Sequence, residues 1–162
     1  MELTSNLGLK NIWKVTCLDA NGNVKWAEEK KNLITTVGLN HILDTQFHAS
    51  TQVTTWYIGL KGAGTPAAGD TMASHATWSE ISDYSGDRKE WTEGAASAGS
   101  MTNASSVDFS ITGTATIAGA FLNTASTGTA GTLYGVVDFA SARSVISGDT
   151  LQVTVTVTAA SA

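Results

Sequence analysis

The sequence predicts an all-β protein, a jelly-roll-like β-sandwich with one short helix and an N-terminal β-hairpin. Three observations carry that expectation. Segments of period-two alternation recur along the chain. In the clearest, Thr150 to Thr158, Leu151, Val153, Val155 and Val157 face one way and Gln152, Thr154, Thr156 and Thr158 the other. Charged residues are only 14% of the 162, and Thr, Ser, Ala and Gly replace them, side chains that suit pleated sheets and tight turns. Finally, only one stretch has a convincing helical period.

Leu9 to Asp19 alternates Trp13, Val15 and Cys17 against Lys14, Thr16 and Leu18. Asp19-Ala20-Asn21-Gly22-Asn23 follows, and Asn-Gly favours a hairpin because both residues tolerate positive φ. Val24 to Glu28 is the return strand. Residues 1–30 are therefore expected to form a hairpin arm beside a sandwich core of residues 31–162, the whole being one domain. The helix begins near Thr35 or Thr36, either of which can cap it, and carries Leu39, Ile42, Leu43 and Phe47 on one stripe, expected to pack on something larger. Val53 to Leu60 reads as a buried strand, and Lys61 to Asp70 as a loop. Between Met72 and Ser82 the pattern is ambiguous, with Trp78 and Ile81 as core contacts. Arg88 to Glu93, Val107 to Ile111, Ala115 to Leu122 and Thr132 to Phe139 complete about eight strands at the spacing of a sandwich or jelly roll.

Composition also bounds function. Net charge is −5 and the nine basic residues form no run, which argues against nucleic acid as the partner. The segment Met1 to Asn6 has no charged region followed by an apolar run, so no signal peptide is expected. No apolar window is long enough for a membrane span, and the expected setting is a cytoplasm until the protein joins something larger.

Chemistry is sparse. His41, His48 and His75 have no acidic or cysteine partner at a metal-site spacing, so no metal is expected. Cys17, the single cysteine, lies in line with Trp13 and Val15 and reads as a small buried hydrophobe. Asp83, Asp87, Glu90 and Glu93 surround Arg88 and Lys89, and a glycosidase-type carboxylate pair, Asp87 with Glu90, competes there with a solvated loop of local ion pairs. Gly62 to Ala67 imitates a dinucleotide fingerprint, but Pro66 denies it the helix that would hold a pyrophosphate. Asn103-Ala104-Ser105 matches a glycosylation acceptor without the secretory context that would give it meaning. No catalytic residue, no cofactor and no enzyme activity are expected. The five tryptophans are suited to stacking on sugars or, more commonly in β-proteins, to core and interface packing.

Several segments resemble those of small virion proteins of tailed phages. They are Asn32 to Asn40 leading into Leu43-Asp44, Trp56-Tyr57-Ile58-Gly59-Leu60, Asp70-Thr71-Met72, and Arg143 to Leu151 before the final Thr/Val strand. The similarity spans roughly residues 30 to 158, with the N-terminal hairpin outside it. The chain resembles phage capsid cement or decoration proteins, though its motifs do not separate a cement from a tail or fibre component. The resemblance implies a homo-oligomer on the capsid exterior that binds the major capsid protein and stabilises the shell, modest contacts adding through multivalency. Trp13, Trp26 and Trp91 are the candidate interface anchors, with core filling as the alternative for each. A carbohydrate- or receptor-binding tail or fibre component is the second reading.

Overall fold

A computed structural model describes residues 7–161. Its elements are β1 (Leu7–Leu18), β2 (Val24–Lys31), β3 (Leu33–Ile34), α1 (Thr36–Phe47), β4 (Trp56–Lys61), β5 (Glu80–Ile81), β6 (Lys89–Trp91), β7 (Ser100–Thr102), β8 (Val107–Ser110), β9 (Ala115–Asn123), β10 (Leu133–Val145) and β11 (Thr150–Ser161). They form the expected all-β sandwich with a single short helix. One sheet runs β2-β1-β11-β7, with β8 also on β11. The other runs β3-β10-β9-β4-β5, with β6 also on β4. Every pairing is antiparallel.

The hairpin turn forms where Asn21-Gly22 places it. Gly22 has φ +83°, and the Asp19 carboxylate accepts the backbone N–H groups of Asn21 and Asn23, each at 2.8 Å. The hairpin is not an arm, however. β1 pairs with β11 from Leu7↔Ser161 to Leu18↔Thr150, which makes β1 an interior strand. Its inward residues Trp13, Val15 and Cys17 are buried with Leu151, Val153 and Val155 of β11. The division into an arm and a core therefore gives way to one continuous sandwich.

The main core lies between the sheets, where Ile58, Leu60, Phe109, Ile117, Leu122, Val137 and Val145 meet the β1 and β11 residues. A second cluster, Met72, Trp78, Phe121, Leu133 and Val136, sits on the other face of the second sheet. The 62–79 segment thus covers that face, which is why β9 and β10 read as nearly continuous apolar runs instead of clean alternation. β10 is longer than the sequence pattern predicts. Its register shifts between Asp138 and Arg143, and the displaced stretch reaches β2, where Ala140 N–H donates to Glu28 Oε2 at 3.0 Å.

Candidate functional site

α1 packs on the sandwich through its first turn. Thr35 caps it by accepting the Gly38 N–H at 3.0 Å, and the Thr35 hydroxyl donates to the Leu133 carbonyl. Gly38 lies so close to β10 that a Cβ there would stand 2.3 Å from the Tyr134 carbonyl oxygen. Ile42 is half-buried against the main core, and His41 meets Trp56 edge-on with ring centres 5.5 Å apart.

The rest of the apolar stripe is not covered. Leu39, Leu43 and Phe47 are 42%, 55% and 84% exposed, and Leu33 of β3 is 36% exposed. Of the stripe expected to pack on something larger, the chain itself therefore covers only a part. Isolated exposed apolar residues are ordinary, but a contiguous set on one helix face marks a contact surface. Leu39, Ile42 and Leu43 form one wall of a groove of about 620 Å³, with Leu9 and Asn11 of β1 and Leu33 and Ile34 of β3 opposite. Lys10 and Lys31 stand at its rim, both exposed. Past Leu9 and Ile42 it meets a smaller apolar cavity of about 180 Å³ that reaches Trp56, Trp91 and Tyr134.

Two asparagines also line the groove. Asn11 is 2% exposed and accepts the Tyr134 hydroxyl only weakly, at 3.4 Å. Both amide atoms of the Asn32 side chain are buried without a partner among the described residues. The amide nitrogen instead packs against β10, where a Cβ at Gly135 would stand 2.3 Å from it.

The expected anchors fall elsewhere. Trp13 and Trp91 are 1% and 4% exposed, so for these two the core-filling alternative is what the fold adopts. Trp26 is half-buried, its ring 5.8 Å from that of Phe139 and under the Arg143 guanidinium at 5.6 Å. The carboxylates around Arg88 do not converge on it. Arg88 is buried and pairs bidentately with Glu80, outside that group, through two contacts of 2.7 Å. It also donates to the carbonyls of Ala125 and Gly128, which pins the β9–β10 connection. Asp87 and Glu90 remain exposed. His75 stacks on Trp78 at 4.0 Å, far in sequence from His41 and His48, and no three potential metal ligands cluster among the described residues.

Cys17 is fully buried. Burial, followed by the nearby Asp149 carboxylate, pushes its thiol up to about 11. One charged residue escaped the sequence pattern altogether. Lys61 is fully buried, its Nζ 2.7 Å from Asp138 Oδ1 and bonded to the Gly62 carbonyl at 3.0 Å and the Gly64 carbonyl at 2.5 Å. Nothing local in the sequence distinguishes it from a surface lysine, because its partners come from a loop and from β10.

No curated protein matches the chain. A family model described as podophage GP4 fiber I protein gp80 matches residues 33–160, the span from β3 into β11. The family is named for a fibre, the second reading of the resemblance, and not for a shell cement, its first. The match omits β1 and β2, although these strands complete the first sheet. Since it takes in 128 of the 162 residues, the chain belongs to the podophage GP4 fiber I protein gp80 family and is a virion structural protein of a bacteriophage.

Proposed function

We propose that this protein is a subunit of a phage fibre and works by surface contact, with no reaction of its own. The observation that carries this reading is the family match across β3 to β11, a fibre protein by description. The exposed apolar face of α1 and its groove supply a contact surface of the kind an assembly subunit needs. A rigid antiparallel sandwich serves such a role, since its backbone is held by ladders from end to end and orders little on binding.

The same geometry weighs against a sugar-stacking platform. Three of the five tryptophans are buried and the other two half-buried, so none offers an open ring face of the usual carbohydrate-binding kind. The deciding experiment is a cryo-electron-microscopy map of the intact particle into which the sandwich is fitted. Density for this chain in a fibre supports the proposal. Density on the shell surface, contacting the major capsid protein, would replace it with the cement reading. Glycan-array binding lost on substitution of Trp26 or Trp56 would instead favour receptor recognition. Hydrolysis of a glycan abolished by Asp87→Asn or Glu90→Gln would overturn the non-enzymatic role.

A further inference from the structure

The groove beside α1 contains an open strand edge as well as an apolar wall. In an antiparallel ladder, alternate residues direct their amides to opposite sides of the strand. The Ala159 N–H of β11 donates to the Gly99 carbonyl, away from β1, so its opposite residue, Leu9, directs its own N–H and C=O away from β11. The Asn11 carbonyl, two residues on, confirms the direction by accepting the Asn32 N–H at 3.3 Å. There the cover ends. β2 pairs with β1 only from Ile12 onward, and at Asn32 the chain crosses to the other sheet as β3. Among the described residues nothing pairs with the Leu9 edge, which lines the groove together with Lys10 and Lys31.

These features define the occupant. An open edge takes an extended segment, the walls take small or apolar side chains, and the rim lysines take carboxylates. Neither Lys10 nor Lys31 forms an ion pair among the described residues. The opposite edge of the same sandwich presents a match. β6 lies at the far end of its sheet from β3, and β7 at the far end of its sheet from β2. Glu90 and Glu93 are exposed there, next to Ala95, Ala96 and Ser97, also exposed, on a stretch held to β7 by the Gly94 N–H and the Ser97 amide. Like edges repel and unlike edges attract, which favours head-to-tail contact, a geometry that closes into a ring when its rotation permits.

We propose that the groove receives the Glu93–Ser97 edge of a second copy of this chain, added as a strand against Leu9, with Glu90 and Glu93 beside Lys10 and Lys31. The proposal rests on reading the α1 face as a contact surface and is independent of where on the particle the chain lies.

Sedimentation equilibrium of the full chain tests it. The wild-type protein should self-associate, more weakly as salt rises. The double variants Lys10→Glu/Lys31→Glu and Glu90→Lys/Glu93→Lys should each associate at least about tenfold more weakly. An equimolar mixture of the two should regain association, because each supplies the edge the other lacks. Melting curves matching the wild type establish that the variants fold. Leu43→Glu, at an exposed position of the groove wall, gives an independent loss of association without reversing either charged edge. A monomeric wild-type protein would overturn the proposal. So would variants that associate like the wild type, or a mixture no better than its components. Failure here with fibre density in the particle map would remove the groove assignment alone.

Discussion

The indole nitrogen of Trp91 donates to the side-chain oxygen of Asn103 at 2.6 Å, joining β6 at the edge of one sheet to the end of β7 at the edge of the other. The same oxygen accepts the Val155 N–H at 2.8 Å, and the Asn103 amide nitrogen donates to the Val153 carbonyl at 2.9 Å. β11 changes partners there, from β8 up to Val153 to β7 from Thr156, and the side-chain amide stands in for a peptide group in the gap. Asn103→Ala leaves three buried polar groups unpaired and should cost about 2–4 kcal/mol. A denaturant titration should give a lower midpoint at nearly unchanged slope.

Gly38→Ala should lift α1 from β10, since the added carbon meets the Tyr134 carbonyl, which is backbone and has little room to yield. The expected loss is about 1–3 kcal/mol. Hydrogen exchange at the α1 amides should rise more than exchange in β11, whereas equal acceleration in both would mean that α1 is not the element displaced.

The C-terminus of α1 turns through Ala49, at φ +55°, after the His48 N–H bonds the Asp44 carbonyl at 3.0 Å. A non-glycine residue is strained there. Ala49→Gly should therefore stabilise the protein by about 0.5–1 kcal/mol, because relief of that strain exceeds the added chain entropy of glycine. An unchanged or lower melting temperature would contradict this.

Cys17 makes stability depend on alkaline pH. Its folded pKa, about 11, lies above the ordinary thiol value of 9.0, so the folded state holds this proton more tightly than the unfolded state. The associated stability is complete below pH 9 and is lost as pH rises from there toward 11, a total of roughly 2–3 kcal/mol. Cys17→Ala should flatten that part of the stability profile. At neutral pH a thiol reagent should label Cys17 only as fast as the sandwich opens.

Legibility in the sequence followed locality. The Asn21-Gly22 turn, the Thr35 cap and the alternation of β11 are set by neighbouring residues, and each appears where its pattern places it. Strands of two or three residues, such as β5 and β7, exist only because a distant strand offers a register, so no periodicity announces them. The spacing of Leu39, Leu43 and Phe47 reveals a helix face, but it does not reveal whether the same chain covers it. Asn103 makes the same point from the opposite direction, since its acceptor triplet says nothing of a side chain committed to three buried bonds. For Trp13 and Trp91 the sequence offers both core and interface roles, and the choice falls to the core because each is covered through a sheet partner remote in the chain.

The full-length ladder between β1 and β11 has a kinetic consequence. Contacts between strands as far apart in sequence as β1 and β11 must close a very long loop, and proteins dominated by such pairings fold slowly. On the ribosome, Trp13, Val15 and Cys17 are made before their partners Leu151, Val153 and Val155, with all of the other strands between them. For that interval the nascent β1–β2 hairpin presents an unpaired flank and the uncovered side chains of Trp13, Val15 and Cys17, an edge open to wrong pairing until β11 is made.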